Sequence, residues 1–289
     1  MKILLFGAMG QLGTELQRTL SPHGEIFPFD IHNLDLENTD AVRETIRRIT
    51  PDVIVNASAY TAVDQAERES EKAFTVNGEI PGLFAAEASG LNAFLIHYST
   101  DYVFAGSKGA LYVERDQPNP LGIYGKSKLA GEEAIQAGNA DYLILRTSWV
   151  YSRNRSSFVT KVLEWARKQE TLRIVSDQVS NPTWARTLAD VTAQLLGKGL
   201  NALVERRGLY HVAGNGYASR FDWAKKILEL DPNKQEQKVQ ELVPARTSDF
   251  PTPAQRPLFS ALDCSLFQST FDIALPEWED ALRQAMMDA

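Results

Sequence analysis

A single cysteine, Cys264, has no partner for an internal disulfide and cannot make a cysteine-based zinc site. The four histidines, His23, His32, His97 and His211, are scattered without metal-ligand spacing, so no histidine-based metal site is expected. No run reaches the roughly 18 apolar residues that would cross a bilayer. The opening MKILLFGAMG has only a short apolar run, broken by glycine and without a cleavage-like segment, and reads as a first β-strand rather than a signal peptide. No block of lysine and arginine is present, and a formal net charge of -7 opposes binding to phosphate backbones. Internal repeats and low-complexity linkers are lacking as well. These absences predict a cytoplasmic globular protein with neither nucleic acid nor membrane as a partner.

What is present is a hydrophobic content of 44% in 289 residues, enough for a large core in one or two domains. Apolar runs and helical spacings alternate through the first half. KILLFGA, EIFPFD, DVIVNAS, AFLIHYST and DYLILRTSWVY read as strands. MGQLGTELQRTLSPHG, NTDAVRETIRRITP, EKAFTVNGEIPGLFAAEASG and YGKSKLAGEEAIQAG read as helices. Apolar strands separated by helices imply a parallel sheet covered on both faces. After Tyr151 the alternation loosens, although SRFDWAKKILEL keeps a helical stripe of Phe221, Trp223, Ala224, Ile227 and Leu228. PARTSDFPTPAQRPLFSALD is rich in proline and polar residues and reads as a long loop. The expected class is α/β: a Rossmann-type doubly wound parallel sheet with a smaller, intertwined C-terminal substrate domain. The boundaries expected are 1–150, with returning segments at about 180–213, for the dinucleotide-binding domain. The remainder, about 151–179 and 214–289, forms the second domain, with a ligand crevice between the two.

LLFGAMGQLGTEL places Gly7, Gly10 and Gly13 between the first strand and the first helix. A tight turn there lets the backbone approach a pyrophosphate at the positive end of the helix. The spacing is G-x-x-G-x-x-G rather than the commoner G-x-G-x-x-G. Asp30 ends the second strand, where a carboxylate accepts hydrogen bonds from an adenosine ribose. No arginine or lysine follows it nearby to hold a 2′-phosphate, which leans toward NADH over NADPH. Asp35 and Leu36 stand where an adenine would be flanked, and Ala57, Ala59, Tyr60 and Thr61 follow the third strand.

Tyr124 and Lys128 lie one helical turn apart in YGKSKLAGE, so phenol and ammonium share a face. Hydride transfer to a carbonyl leaves an oxygen that must receive a proton. A phenol donates poorly unless tuned, and a neighbouring ammonium is expected to lower its pKa. Thr100, at the end of LIHYST, offers a hydroxyl at the carboxyl edge of the sheet, where open α/β sheets hold their ligands. The same residues would serve an epimerase that keeps its NAD, and a non-catalytic regulatory subunit of this fold remains a third alternative.

The order of these motifs resembles the extended short-chain dehydrogenase/reductase family. LLFGAMGQLGTEL, DVIVNASAYTAVDQAE, HYSTDYVFAG, YGKSKLAGE, LRTSWVY and PTPAQRPLFSALD carry the resemblance across nearly the whole chain. It implies reduction, by NADH or NADPH, of the C4 ketone of a dTDP-sugar, dTDP-4-dehydro-6-deoxy-L-mannose, to give dTDP-L-rhamnose. By resemblance Tyr124 is the proton donor, Lys128 its partner and Thr100 the tuning hydroxyl. Gly10, Gln11 and Leu12 match the pyrophosphate turn, and Ala59, Tyr60, Thr61 and Tyr98 further cofactor contacts. Thr100, Asp101 and Trp149 match sugar-nucleotide contacts, and Arg256 a phosphate contact. Some relatives form a magnesium-bridged homodimer through two glutamates. Here Glu15 is present but Arg186 occupies the second place, and an arginine cannot ligate a hard cation. A Glu15–Arg186 salt bridge is expected instead, in a monomer or a differently built homodimer.

Overall fold

The computed structural model describes residues 1–288. Its first half runs β1 (Lys2–Phe6), α1 (Gln11–Leu20), β2 (Glu25–Phe29), α2 (Thr39–Ile49), β3 (Val53–Asn56), α3 (Val63–Ala66), α4 (Ser70–Phe74), α5 (Ile80–Leu91), β4 (Phe94–Thr100), α6 (Ile123–Gln136) and β5 (Asp141–Thr147). It continues through β6 (Val150–Tyr151), α7 (Phe158–Lys168), β7 (Thr171–Val175), β8 (Val179–Ser180), β9 (Thr183–Trp184), α8 (Ala185–Gly197), α9 (Leu200–Val204) and β10 (Gly208–His211). The last elements are β11 (Ala218–Ser219), α10 (Arg220–Leu230), β12 (Glu241–Ala245), α11 (Ser265–Phe271) and α12 (Trp278–Met287).

Six strands form one parallel sheet in the order β10-β5-β4-β3-β1-β2. The two faces of each strand feed two different cores. Ile3, Leu5, Val53, Val55, Phe94 and Ile96 pack with α1, α8 and α11. Leu4, Phe6, Ile54, Leu95 and Ile144 pack with α2, α5 and α6. Strands buried on both faces explain the near-continuous apolar runs, and each such side chain contributes about 1.5–3 kcal/mol of burial. The doubly wound α/β expectation holds. β2 is one of the two edge strands, which is why it tolerates Pro28 and is only partly buried. The chain reverses its filling direction at β1, opening a crevice above the carboxyl ends of β1 and β3.

A third core, separate from the sheet, gathers Tyr151, Val159, Val162, Trp184, Trp223, Ile227, Trp278 and Leu282. α7, α10 and α12 build this lobe beside the two-stranded β7–β12 pair.

Two elements depart from the sequence reading. The strand read through SWVY stops at Thr147, because Trp149 takes a left-handed φ of 42° and turns the chain into a separate pairing of β6 with β9. A bulky residue at positive φ is strained and persists only where its surroundings hold it. The single helix read over EKAFTVNGEIPGLFAAEASG is interrupted by a π-helical turn at Thr75–Glu79. That turn aims Asn77 at the backbone of Tyr60, accepting from its N–H at 2.8 Å and donating to its carbonyl at 3.1 Å. The same amide donates to Ser127 of α6 at 3.1 Å, so one buried side chain ties a crevice loop to the helix carrying Tyr124.

Candidate active site

The crevice above β1 and β3 is a cavity of about 560 Å³. At its floor, Gly7 has φ 79°, and a Cβ there would lie 2.6 Å from the carbonyl oxygen of Ala57. Only glycine fits, which lets the backbone enter α1 beneath the cavity. Gly13 does not line the cavity; a Cβ on it would stand 2.0 Å from the Gly7 carbonyl, so its role is close packing of α1 on the turn. Gln11 keeps a buried, unpartnered Oε1 at this helix start, and Thr147, which also lines the cavity, an unpartnered buried hydroxyl. Buried polar atoms without partners mark places that a ligand can satisfy. A glycine cradle, a helix N-terminus and these two orphaned oxygens fit a dinucleotide.

Gly7, Gly10, Gln11, Leu12, Asp30, Asp35, Leu36, Ala57, Ala59, Tyr60, Thr61, Tyr98, Tyr124 and Lys128 all line this one cavity. Asp30 accepts a hydrogen bond from the Met9 amide at 3.2 Å and keeps its other oxygen toward exposed His32, 3.9 Å away. Lys72 also lines the cavity, from well along the chain, with its ammonium paired to Glu37 at 2.5 Å. Local sequence around Asp30 gave no sign of it.

At the α6 end of the cavity, Glu67 accepts from the Ile123 amide at 2.8 Å and fixes the start of α6, so that Tyr124 stands in its first turn. Tyr124 packs edge-on against Tyr102, ring centres 5.7 Å apart. Burial holds its phenol above the ordinary value, and the Thr100 hydroxyl opposes that shift. This differs from the expected lowering by Lys128, because the lysine amine points elsewhere. Its Nζ donates to the Tyr98 carbonyl at 2.7 Å and lies 3.3 Å from His97 Nε2. Burial brings Lys128 down to about 8, against the pull of Glu132.

Thr100 caps the turn after β4, accepting from the Tyr102 amide at 3.2 Å. Asp101 is buried and spends its Oδ2 on Ser260 at 2.5 Å and Ser180 at 3.0 Å. Its carboxyl is pushed up to about 6 by burial, which the three hydroxyls around it only partly offset. Asp101 therefore staples the end of β4 to β8 and to the loop at Ser260. Thr100, Asp101, Trp149 and Arg256 lie outside the cavity lining. Arg256 pairs with Asp64 at 2.8 Å, joining the 250–258 loop to α3. Trp149 stacks on Trp223 at 5.5 Å, with the Arg220 guanidinium 3.7 Å from its ring centre.

Arg220 escaped the sequence reading because SRFDW reads as an ordinary capped helix start, and Ser219 does cap it. In three dimensions its guanidinium rests on three aromatic faces, Trp149, Phe158 and Trp223, rather than in an ion pair. Burial lowers its pKa to about 10 and leaves it charged at neutral pH, within electrostatic reach of Asp101, Tyr102 and Arg256. The expected Glu15–Arg186 pair forms, with Nε 3.2 Å from the carboxylate, and Arg186 also meets Asp288.

A parallel sheet with its nucleotide turn at β1 and a Tyr-x-x-x-Lys helix facing the same cleft define a Rossmann-type oxidoreductase of the short-chain class. The chain belongs to the family described as the RmlD substrate binding domain, whose model matches residues 1–289. It is 42% identical over 293 residues to the dTDP-4-dehydrorhamnose reductase of Salmonella typhimurium, covering 100% of this chain and 98% of that protein. The crystal structure of a dTDP-4-dehydrorhamnose reductase from Clostridium acetobutylicum superposes with a TM-score of 0.91 at 34% identity, covering 99% of each chain. One from Bacillus anthracis, in complex with NADP, also gives 0.91, at 33% identity and 100% and 99% coverage.

Proposed function

We propose that this chain reduces the C4 ketone of dTDP-4-dehydro-6-deoxy-L-mannose to dTDP-L-rhamnose with a nicotinamide cofactor. The observation that carries this reading is the convergence of the glycine turn and the Tyr124–Lys128 pair on one cavity, in a chain collinear with reductases of that name. The reduced nicotinamide supplies the hydride that C4 receives. Tyr124 gives its phenolic proton to the C4 oxygen, and Thr100, beside that phenol, hydrogen-bonds the same oxygen and steadies the phenolate left behind. Lys128 holds ribose hydroxyls and places positive charge near Tyr124. Gly10, Gln11 and Leu12 present the start of α1 to the pyrophosphate, while Asp35 and Leu36 flank the adenine.

On the sugar-nucleotide side, Trp149 closes over the sugar, and Arg220 and Arg256 face the substrate's diphosphate from the second lobe. Asp101 acts from beneath by holding Thr100 in place. Arg220→Ala is expected to raise KM for the sugar nucleotide about tenfold or more, while the Kd for cofactor stays unchanged. Equal effects on both ligands would show that Arg220 supports the fold around Trp149 and nothing more.

Asp30 accepts from the adenosine ribose, and its charge disfavours a 2′-phosphate, so NADH is the preferred donor and NADPH is also used. In Asp30→Ala the ratio of kcat/KM for NADH over NADPH should fall about tenfold, one charge-assisted hydrogen bond. An unchanged ratio removes Asp30 from the choice. The reaction is tested by loss of absorbance at 340 nm with enzymatically generated dTDP-4-dehydro-L-rhamnose. Loss in step with dTDP-L-rhamnose formation is expected; a folded protein without turnover would exclude the reductase.

A further inference from the structure

His97 takes no part in the chemistry just described, yet it is fully buried and touches Lys128. Its protonation can be worked out from a chain of hydrogen bonds that begins at a backbone atom. The Ser58 amide, which can only donate, points at Asn56 Oδ1 from 3.1 Å, and the Ser58 hydroxyl lies 2.6 Å from the same oxygen. The Asn56 amide is thereby oriented, and its NH2 group must be the end 2.9 Å from His97 Nδ1. An amide NH2 has no acceptor capacity, so Nδ1 must present a lone pair and the ring's only proton sits on Nε2. That N–H faces Lys128 Nζ at 3.3 Å. An ammonium has three donors and no lone pair, so it would meet the imidazole donor against donor. A neutral amine satisfies every contact: its lone pair accepts from Nε2–H while one of its own hydrogens goes to the Tyr98 carbonyl at 2.7 Å.

We propose that His97 is a positioning residue for Lys128 that favours its uncharged amine, so that at mildly alkaline pH the lysine takes up a proton from solvent when cofactor binds. The proton balance is that of amine plus solvent proton giving ammonium, with no other group changing. The second half rests on the reductase reading, because the cofactor's diphosphate charge and ribose hydroxyls are what favour the ammonium. The first half rests on the hydrogen-bond chain alone.

The other groups around the lysine are consistent with a poised charge. On its own helix, Glu132 lies one turn on, but its carboxylate is engaged by Arg146 of β5 at 2.6 Å and by the Ser99 hydroxyl, so little of its attraction is left over. Tyr124 shares the helix and is held neutral by burial. From β4, His97 is pushed well below the usual histidine range, first by burial and then by Lys128, and Tyr98 is kept neutral with its hydroxyl on Thr192 of α8. A bare ammonium enclosed by these groups is costly, and a proton taken up only with the ligand avoids that cost.

Imidazole-15N NMR of the whole protein, with histidine selectively labelled and His97→Gln identifying the resonance, reads the tautomer without cofactor or substrate. A pyrrole-type Nε2 with a pyridine-type Nδ1 is expected; the reverse pattern overturns the proposal. Calorimetry of NADH binding in buffers of different ionisation enthalpy then counts protons. With the free lysine titrating near 8, binding at pH 8 should take up about half a proton per site, and more toward pH 9. Affinity should correspondingly fall as pH rises through that range. Asn56→Asp offers Nδ1 an acceptor in place of a donor, moves the ring proton onto Nδ1 and turns the Nε2 lone pair to the ammonium, and should cut the uptake at pH 8 to about a fifth or less. Undiminished uptake in this variant also overturns the proposal. Should Asn56→Asp fail to fold, His97→Gln puts its amide oxygen on the Asn56 NH2 and its own NH2 toward the lysine, so uptake must persist, and its loss overturns the proposal. Failure of NADH and NADPH to bind at all would remove the reductase reading, and the tautomer would then decide the role of His97 by itself.

Discussion

Tyr124→Phe is expected to lower kcat by about 10²–10⁴-fold, roughly 2.7–5.4 kcal/mol of transition-state stabilisation, while the Kd for cofactor stays within about twofold. The substitution removes one oxygen from a half-buried ring that still packs edge-on against Tyr102. The phenol is held above its ordinary pKa by burial, so it carries its proton throughout the neutral range. Proton donation is thus available at neutral pH, and what the site must supply is a place for the negative charge afterwards. Thr100 and Lys128 are the groups at hand. Steady-state rates and fluorescence titration of bound NADH separate the two effects. Near-normal turnover in Tyr124→Phe would take the tyrosine out of the proton-donor role.

Lys128→Ala should be harmful in two ways at once. The cofactor Kd rises about tenfold or more, and kcat falls about 10²-fold or more, because one side chain both holds ribose and charges the neighbourhood of the phenol. Its stem is fully buried, so truncation also opens a cavity, costing about 2–5 kcal/mol of stability by analogy with other long buried side chains. Lys128→Met keeps most of the volume and discriminates among these effects: turnover and affinity should still collapse while the melting temperature recovers. If Lys128→Met restores activity together with stability, the lysine is a packing residue.

Much of this protein was already decided by its sequence. Gly7 was legible because a strand, a glycine triplet and a helix are local, and a left-handed backbone at the turn admits little else. The parallel sheet was legible because strands buried on both faces must be apolar throughout. Tyr124 and Lys128 were legible as a pair because four residues on a helix bring two side chains to one face. The Glu15–Arg186 pair was legible only through the family resemblance, which put those two positions together.

The rest depended on contacts between segments far apart in the chain. Nothing in SRFDW announces that Arg220 will lie on Trp149, since the left-handed turn at Trp149 that brings them together has no local signature. Asn77 reaches Tyr60 and Ser127 only because one helical turn widens into a π turn, which periodicity does not encode. The state of Lys128 departs from the sequence reading for the same reason. Sequence spacing places it beside Tyr124, but the tertiary structure turns its amine to Tyr98 and His97, and burial there outweighs the local pairing. Short-range sterics and apolar periodicity act within a few residues and can be read along the chain. Desolvation and hydrogen-bond complementarity act between whatever the fold brings together, and only the folded chain decides which groups those are.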